Sequence, residues 1–336
     1  MAAIKRKMAL FIILIVAAGG FAAWYVDHAR RSHVAPVGSV TVGISKTEVS
    51  WVFYIAEERG FFAASGVKVT LRAFESGLDA YKVMLEGGVD LSNPTEYVVA
   101  GSALRHEQAR IIATIAKADF FHIIGRKDHG IEKAADLAGK RIGLTGRTIE
   151  EFHLGRFLDL QGRSIRHVSL VDMSFAAAAD AIRAGKVDAI VTLPPYYDAV
   201  KGSFGDGLAD WSAQGGQWLF AVMAGRNDWI ARNPDLVARF LGALDRANLY
   251  IIQYPKEAKA IVRKRLNLDA AAVDRGWERN HFALSLDQSL ILAMEDEARW
   301  MIKNRLTTER DVPDFTRCLY LDGLMAVKPE AVNIIR

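Results

Sequence analysis

The sequence predicts an α/β protein built as two lobes, on three observations. The chain has 336 residues, more than the ~100–200 that one domain commonly uses. Short β-branched runs alternate with helically spaced segments, the pattern of parallel sheets covered by helices. One motif also occurs twice, as MLEGGVDLSNPTE from Met84 and as IRAGKVDAIVTLPP from Ile182. In each copy a helix ends at glycine (Gly87, Gly185), a valine opens a strand (Val89, Val187), and the strand runs into a loop with proline (Pro94, Pro194-Pro195). Ligands of open parallel sheets sit beyond the carboxyl ends of the strands, so two such loops facing each other would line a cleft. The other reading is that Gly-x-Val-Asp is an ordinary helix-to-strand turn.

In chain order, SVTVGIS (39–45) reads as a strand because β-branched residues dominate it. WVFYIAEERGFFAASG (51–66) has helical spacing and a glycine terminus, VKVTLRAF (67–74) alternates like a strand, and a helix runs through Ala80 to Leu85. The alternation returns in KRIGLT (140–145), IEEFHLGRFLDLQG (149–162), RHVSLV (166–171), the alanine-rich helix 174–184 and VDAIVTL (187–193). From Asn227 the reading is mostly helical, with helices predicted at 234–253, 255–266 and 285–304. Both sheets are expected to be mostly parallel, with helices on their faces.

Composition narrows the function. Hydrophobic residues make up 51% and charged residues 24%, as in an ordinary globular protein. The net charge of +4 is spread along the chain, which argues against a nucleic-acid surface. With one cysteine, Cys318, neither an intramolecular disulfide nor a cysteine-based zinc site can form. No Gly-x-Ser-x-Gly elbow, His-Glu-x-x-His helix, Walker loop or Gly-x-Gly-x-x-Gly turn is present, and the eight histidines show no ligand spacing. Neither an enzyme nor a cofactor is expected.

Lys5-Arg6-Lys7 precede an unbroken apolar stretch over 8–26, which at ~1.5 Å per residue crosses most of a ~30 Å hydrocarbon core. Residues 1–33 are read as a signal sequence or an N-terminal membrane anchor. The small residues Ala17 to Ala23 suit signal cleavage, whereas Trp24 and Tyr25 suit an anchor's interfacial aromatics. Either way the basic end stays cytoplasmic and the chain beyond about residue 34 is exported.

The segments VGIS, AEERGFFAASGVKV, RAFESGLDAYKVMLEGGVDLSNPTEY, KAADLAGKRIGLTGRTIEEFHLGRFLDLQG, IRAGKVDAIVTLPPYYDA and NPDLVARFLGALDRAN resemble the periplasmic solute-binding proteins of nitrate-, sulfonate- and taurine-type ABC importers. That group includes relatives that bind thiamine-pyrimidine precursors. The resemblance covers roughly 39–330 and implies a two-lobed type II periplasmic binding protein fold. The first lobe would comprise 39–118 and 222–336, the second 119–221, hinged near 117–120 and 220–225. It further implies a periplasmic location, permease subunits in the inner membrane as partners, and capture of a small solute by hinge closure.

By position, the resemblance places Ser50 and Trp51 after the first strand, Ser76 at a helix start, and Thr95 and Glu96 after the first copy of the repeated motif. It places Arg147, Thr148 and Tyr196 on the second lobe and Asp119 at the crossover. The duller roles are core packing for Trp51 and Tyr196, a helix-start carboxylate for Glu96 and a hinge brace for Asp119. Thr148 followed by Glu151 reads as a capping box. Arg147, Thr148 and the N–H groups of Ile149 and Glu150 would then form an anion site; the rival is a structural cap with Arg147 in solvent. Both charge signs near the cleft suit a sulfonate zwitterion such as taurine. An aminopyrimidine stacked on Trp51 or Tyr196 is the alternative. A membrane-tethered ligand sensor and an enzyme sharing the fold are the remaining classes.

Overall fold

The computed structural model describes residues 38–194 and 196–335; the apolar segment 8–26, all of 1–33 and Pro195 lie outside the described residues. β1 (Gly38–Ser45) leads through a 3₁₀ turn at Glu48–Ser50 into α1 (Trp51–Glu58) and α2 (Phe61–Ala64). The single helix predicted over 51–66 is broken at Gly60, whose φ of 66° is left-handed. β2 (Val67–Phe74), α3 (Gly77–Leu85), β3 (Leu91–Ser92), α4 (Glu96–Leu104) and β4 (Ala109–Ala118) follow.

The chain then builds β5 (His122–Arg126), β6 (Arg141–Leu144), α5 (Ile149–Leu160), β7 (Ser169–Asp172), α6 (Phe175–Arg183), β8 (Ala189–Thr192), α7 (Tyr196–Phe204) and β9 (Leu208–Ser212). It returns on β10 (Leu219–Arg226) and continues through α8 (Asn227–Arg232), α9 (Pro234–Gln253), α10 (Pro255–Leu266), α11 (Ala270–Glu278), β11 (Asn280–Asp287), α12 (Gln288–Asn304), α13 (Asp322–Met325) and β12 (Val332–Asn333). The helix predicted to begin at 285 begins at Gln288, because β11 takes the residues before it.

Two sheets result, one ordered β12-β11-β4-β10-β3-β1-β2 and the other β7-β6-β8-β5-β9. Both are mixed rather than mostly parallel. Helix-linked strands pair in parallel, as in β1 with β2 and β3, or β6 with β7 and β8. The strands that carry the chain between sheets pair antiparallel: β10 with β3 and β4, and β5 with β8 and β9. An outgoing and a returning strand lying side by side must run in opposite directions. β10 pairs with β4 from Leu219, so the return precedes the expected boundary at 222.

The repeated motif has the same structural job in each sheet. Asp90 accepts the Thr41 N–H at its Oδ2 (2.8 Å) and donates its own N–H to Thr41 O (2.9 Å). Asp188 does the same with Arg141, at 2.8 Å each way. Gly87 and Gly185 hold left-handed φ values of 84° and 68°, which turns the preceding helix into the strand.

An arginine from a neighbouring strand then caps that helix. Arg226 Nη1 donates to Met84 O (2.7 Å) and Arg126 Nη1 to Ile182 O (2.9 Å), and each also pairs with the aspartate two residues on, Asp228 or Asp128. Gly-Arg-x-Asp at 125–128 and 225–228 is thus a second internal repeat. One apolar core runs from the larger sheet across the crossovers to the inner face of the smaller one, whose outer face has its own cluster around Ile124, Ile182, Ile190 and Val200.

Candidate functional site

Where the carboxyl-end loops of the two sheets meet lies a cavity of about 60 Å³. A single water needs only ~10–15 Å³ on such a measure, so the space suits a small solute or several waters. The larger sheet contributes Ser45, Thr47, Ser76, Gly77, Asn93 and Thr95; the smaller contributes Thr148, Glu150 and Phe175; Phe120 and Phe121 come from the crossover.

The wall on the larger sheet is held by a polar chain. Asn93 accepts the Ser45 N–H (2.7 Å) and donates to Ser50 Oγ (2.8 Å), while Ser45 Oγ lies 2.8 Å from Thr47 Oγ1. Helix α3 starts at this wall. A Cβ on Gly77 would stand 2.9 Å from the Asn93 carbonyl, so only glycine lets α3 approach. Ser76 Oγ accepts the Asp79 N–H (3.1 Å), leaving the N–H groups of Gly77 and Leu78 without a partner among the described residues at a helix start, where the positive dipole end lies. Beside them the Thr95 hydroxyl is buried and has no hydrogen-bond partner among the described residues.

The opposite wall carries a carboxyl group. Glu150 Oε2 accepts the Thr145 N–H (3.1 Å), and Glu150 Oε1 lies 3.2 Å from Thr148 Oγ1. Thr148 has one hydroxyl hydrogen, and the shorter contact, 2.7 Å to Thr145 O, takes it. The Glu150 contact is then free to be made by an acid proton on Glu150. Burial pushes Glu150 up to about 8 despite the Thr145 N–H and the Thr148 contact, which pull the other way. Among the described residues no lysine or arginine lines this cavity.

Of the nine residues expected at the site, Ser76, Thr95 and Thr148 line the cavity. Ser50 sits behind the wall as a partner of Asn93. Trp51 is buried against Trp277, ring centres 6.1 Å apart, and a Cβ on Gly276 would lie 2.4 Å from its ring. It is core, because the 3₁₀ turn at 48–50 directs α1 inward. Glu96 points away from the cavity: Oε1 accepts the Phe220 N–H (2.8 Å), Oε2 has no partner among the described residues, and burial pushes the group well above the usual carboxylate range. Asp119 braces the crossover through its N–H to Arg279 O (3.1 Å). Tyr196 stacks behind Phe175, centroids 5.9 Å apart.

Arg147 is the largest departure. Its φ is 60°, its N–H donates to Glu151 Oε2 (2.8 Å), and its side chain lines a different chamber. The expected capping box is therefore displaced: Glu151 reaches back to Arg147 rather than to Thr148. The Glu150 carboxyl occupies the start of α5, where an anion was expected.

Gln214 went unnoticed in the sequence, where nothing marks one glutamine in a loop. Buried in the returning crossover, it accepts the N–H groups of Phe120 (2.8 Å) and Phe121 (3.0 Å) and donates to Ala118 O (2.9 Å) and Gln217 O (2.8 Å). One side chain thus clasps both crossovers and fixes the backbone of two cavity-lining aromatics. Among the described residues no group of three or more His, Cys, Asp or Glu is arranged to hold a metal ion, and no helix is long and apolar enough to cross a membrane.

Residues 48–258 match the family described as NMT1/THI5 like. The taurine-binding periplasmic protein of Escherichia coli is 27% identical over 195 residues, covering 57% of this chain and 60% of its own. The formylaminopyrimidine-binding protein of Halalkalibacterium halodurans is 23% identical over 138 residues, covering 41% and 42%. Among solved structures, the alkanesulfonate-binding protein SsuA of Xanthomonas axonopodis pv. citri, bound to MOPS, superimposes with a TM-score of 0.73 at 18% identity over 86% of this chain and all of that one.

Proposed function

The chain belongs to the NMT1/THI5-like family, and we propose that it is the extracytoplasmic solute-binding component of an ABC importer, closing its lobes on a small dipolar solute of the amino-sulfonate kind. One observation carries the ligand class: the cavity sets the α3 helix start and the unpartnered Thr95 hydroxyl against the buried Glu150 carboxyl. An anionic group fits the former, since free N–H groups and the dipole favour negative charge. A donor such as an ammonium fits the latter. A bare anion lacking a donor would leave Glu150 facing it with no compensating cation among the described lining residues. The solute is bound and handed on unchanged, so incubation with it yields no product.

Three phenylalanines, 120, 121 and 175, also line the cavity, and they favour as a second reading a flat aminopyrimidine. The two separate by pH. An ammonium needs Glu150 ionised, so taurine affinity should rise as pH goes from 6 towards the Glu150 value of about 8, by at most about tenfold per unit. An aminopyrimidine held by the acid form would bind more weakly over the same interval. Glu150→Gln should abolish either trend in calorimetric titrations of the full-length chain. Taurine affinity that ignores both pH and this substitution would overturn the reading.

The same group leaves a mark on the unliganded protein. Its folded value of about 8 lies above the ordinary ~4.3, so the folded state holds the proton more tightly. The associated stability is present below about pH 4.3 and is lost as pH rises to about 8. Glu150→Gln should flatten that loss in melting curves.

A further inference from the structure

A second chamber, of about 820 Å³, adjoins the cavity and shares Leu78 and Val98 with it. It lies between α3, α4 and the end of α12 on one side and the turn before α5 on the other, so both lobes line it. Leu78, Leu85, Leu104, Met301 and Leu306 supply an apolar wall. Its polar residues are mostly satisfied by each other: Arg105 pairs with Glu107 (2.9 Å), His106 with Glu309 (3.4 Å), and Glu151 takes the Arg147 N–H (2.8 Å). Three cations, Lys82, Arg105 and Arg147, face three carboxylates, Glu107, Glu151 and Glu309, and two of the cations, both exposed, form no close pair among the described residues. Among the described residues neither the Lys82 ammonium nor the Arg147 guanidinium has a salt bridge or a side-chain hydrogen bond, and both line the chamber.

The backbone adds to this. Arg147 holds a left-handed φ of 60° that glycine adopts freely and arginine does not. Gly146 precedes it, so glycine is available to this turn, yet the strained position carries the long cationic side chain. A guanidinium kept at a strained position, beside an ammonium and over aliphatic side chains, fits an anionic group on an apolar body.

We propose that this chamber is a second binding site, distinct from the small-solute cavity, for an organic anion with an apolar body: the anion lies between Lys82 and Arg147 and the body on Leu78, Leu104 and Met301. The proposal does not depend on the ligand assigned to the inner cavity. Because Lys82 belongs to one lobe and Arg147 to the other, an occupant touching both also ties the lobes together.

The test uses 4-(trifluoromethyl)benzoate as probe, followed by fluorine NMR titration of the full-length chain. Saturable binding is expected, at least about tenfold weaker in the Lys82→Ala, Arg147→Gly double variant, a difference of ~1.4 kcal/mol. Glycine is chosen at 147 because it accepts the left-handed backbone. The neutral analogue 4-(trifluoromethyl)benzamide should bind at least about tenfold less tightly than the benzoate. Thr95→Val, which removes a hydroxyl from the anion-facing wall of the inner cavity at a residue that does not line the chamber, should leave benzoate binding in place. Absence of saturable binding, equal affinity in the double variant, or equal affinity of the benzamide would overturn the proposal. Loss of the probe with Thr95→Val would overturn it too, by placing the benzoate in the inner cavity; in that event the inner site stands and the chamber does not.

Discussion

The two lobes use one local design and load it differently. In each, a left-handed glycine ends a helix, an aspartate anchors the neighbouring strand through its N–H, and an arginine from another strand caps that helix. In the larger lobe the Asp90 carboxylate takes the Thr41 N–H and no other partner among the described residues, inside a seven-stranded sheet. In the smaller lobe, with five strands, Asp188 also receives the Arg141 guanidinium (Nη2 to Oδ1, 2.8 Å) and lies 2.8 Å from His129 Nδ1. Those partners, the Arg141 guanidinium first, hold the Asp188 carboxyl well below the usual carboxylate range. The Asp210 carboxylate of the same lobe gathers His122, Tyr197 and Lys201 in a similar way. A smaller sheet buries less apolar surface, and here multiply bonded carboxylates make up part of the difference.

That comparison breaks if the two aspartates prove equivalent. Asp188→Ala strands a backbone N–H, a guanidinium and an imidazole together and should destabilise by about 3 kcal/mol, against about 1.5 kcal/mol for Asp90→Ala. Denaturant titration of both variants measures this, and an equal or reversed order would show that the extra partners contribute nothing.

The next effect lies between the lobes. Gln214→Ala removes four hydrogen bonds that join the crossovers and should destabilise by about 2 kcal/mol, since each neutral bond contributes only ~0.5–1.5 kcal/mol net. Because Phe120 and Phe121 lose their backbone anchor, solute affinity should fall as well. Gln214→Glu, which keeps the two acceptor contacts but loses both donors, should recover part of that affinity. Affinity untouched in both variants would confine the glutamine to stability.

The smallest effect concerns what the lobes share. Gly87→Ala and Gly185→Ala each force a side chain into a left-handed backbone, at about 1 kcal/mol apiece. The added methyl would meet the capping arginine at ordinary contact distance in both, 3.6 Å from Arg226 and 3.5 Å from Arg126, and His129 beside Gly185 is no tighter at 3.7 Å, so their melting temperatures should drop alike; a marked inequality would mean that the turns are not equivalent.

How much of this was legible varies along the chain. The helices Pro234–Gln253 and Pro255–Leu266 agree with the sequence prediction end to end, because proline at the first turn marks their starts. The long antiparallel strands β4 and β10 were not read at all. Both are buried along nearly their whole length, so neither shows the alternation that marks a strand with one wet face. Of the cavity lining, the hydroxyl residues Ser76, Thr95 and Thr148 were legible because they stand at helix starts that the resemblance brings to the cleft. Phe121 and Phe175 were not, since an aromatic residue in a sequence does not say which side of a wall it faces.

What the sequence determined by itself is local and periodic: the alternation of strands and helices, the doubled Gly-x-Val-Asp turn and the capped helix starts. Each depends on residues within one or two turns of one another, where backbone sterics and hydrogen bonding act directly. Tertiary structure alone decided that Glu150, not an external anion, sits at the start of α5, that Arg147 turns into the neighbouring chamber, and that Gln214 joins two crossovers 94 and 93 positions apart in sequence. These outcomes turn on a side-chain direction set by one left-handed residue, on the dryness of a wall completed by another lobe, and on hydrogen bonds between distant segments. None has a signature in the spacing of neighbouring residues, because the groups that impose it become neighbours only once the chain has folded.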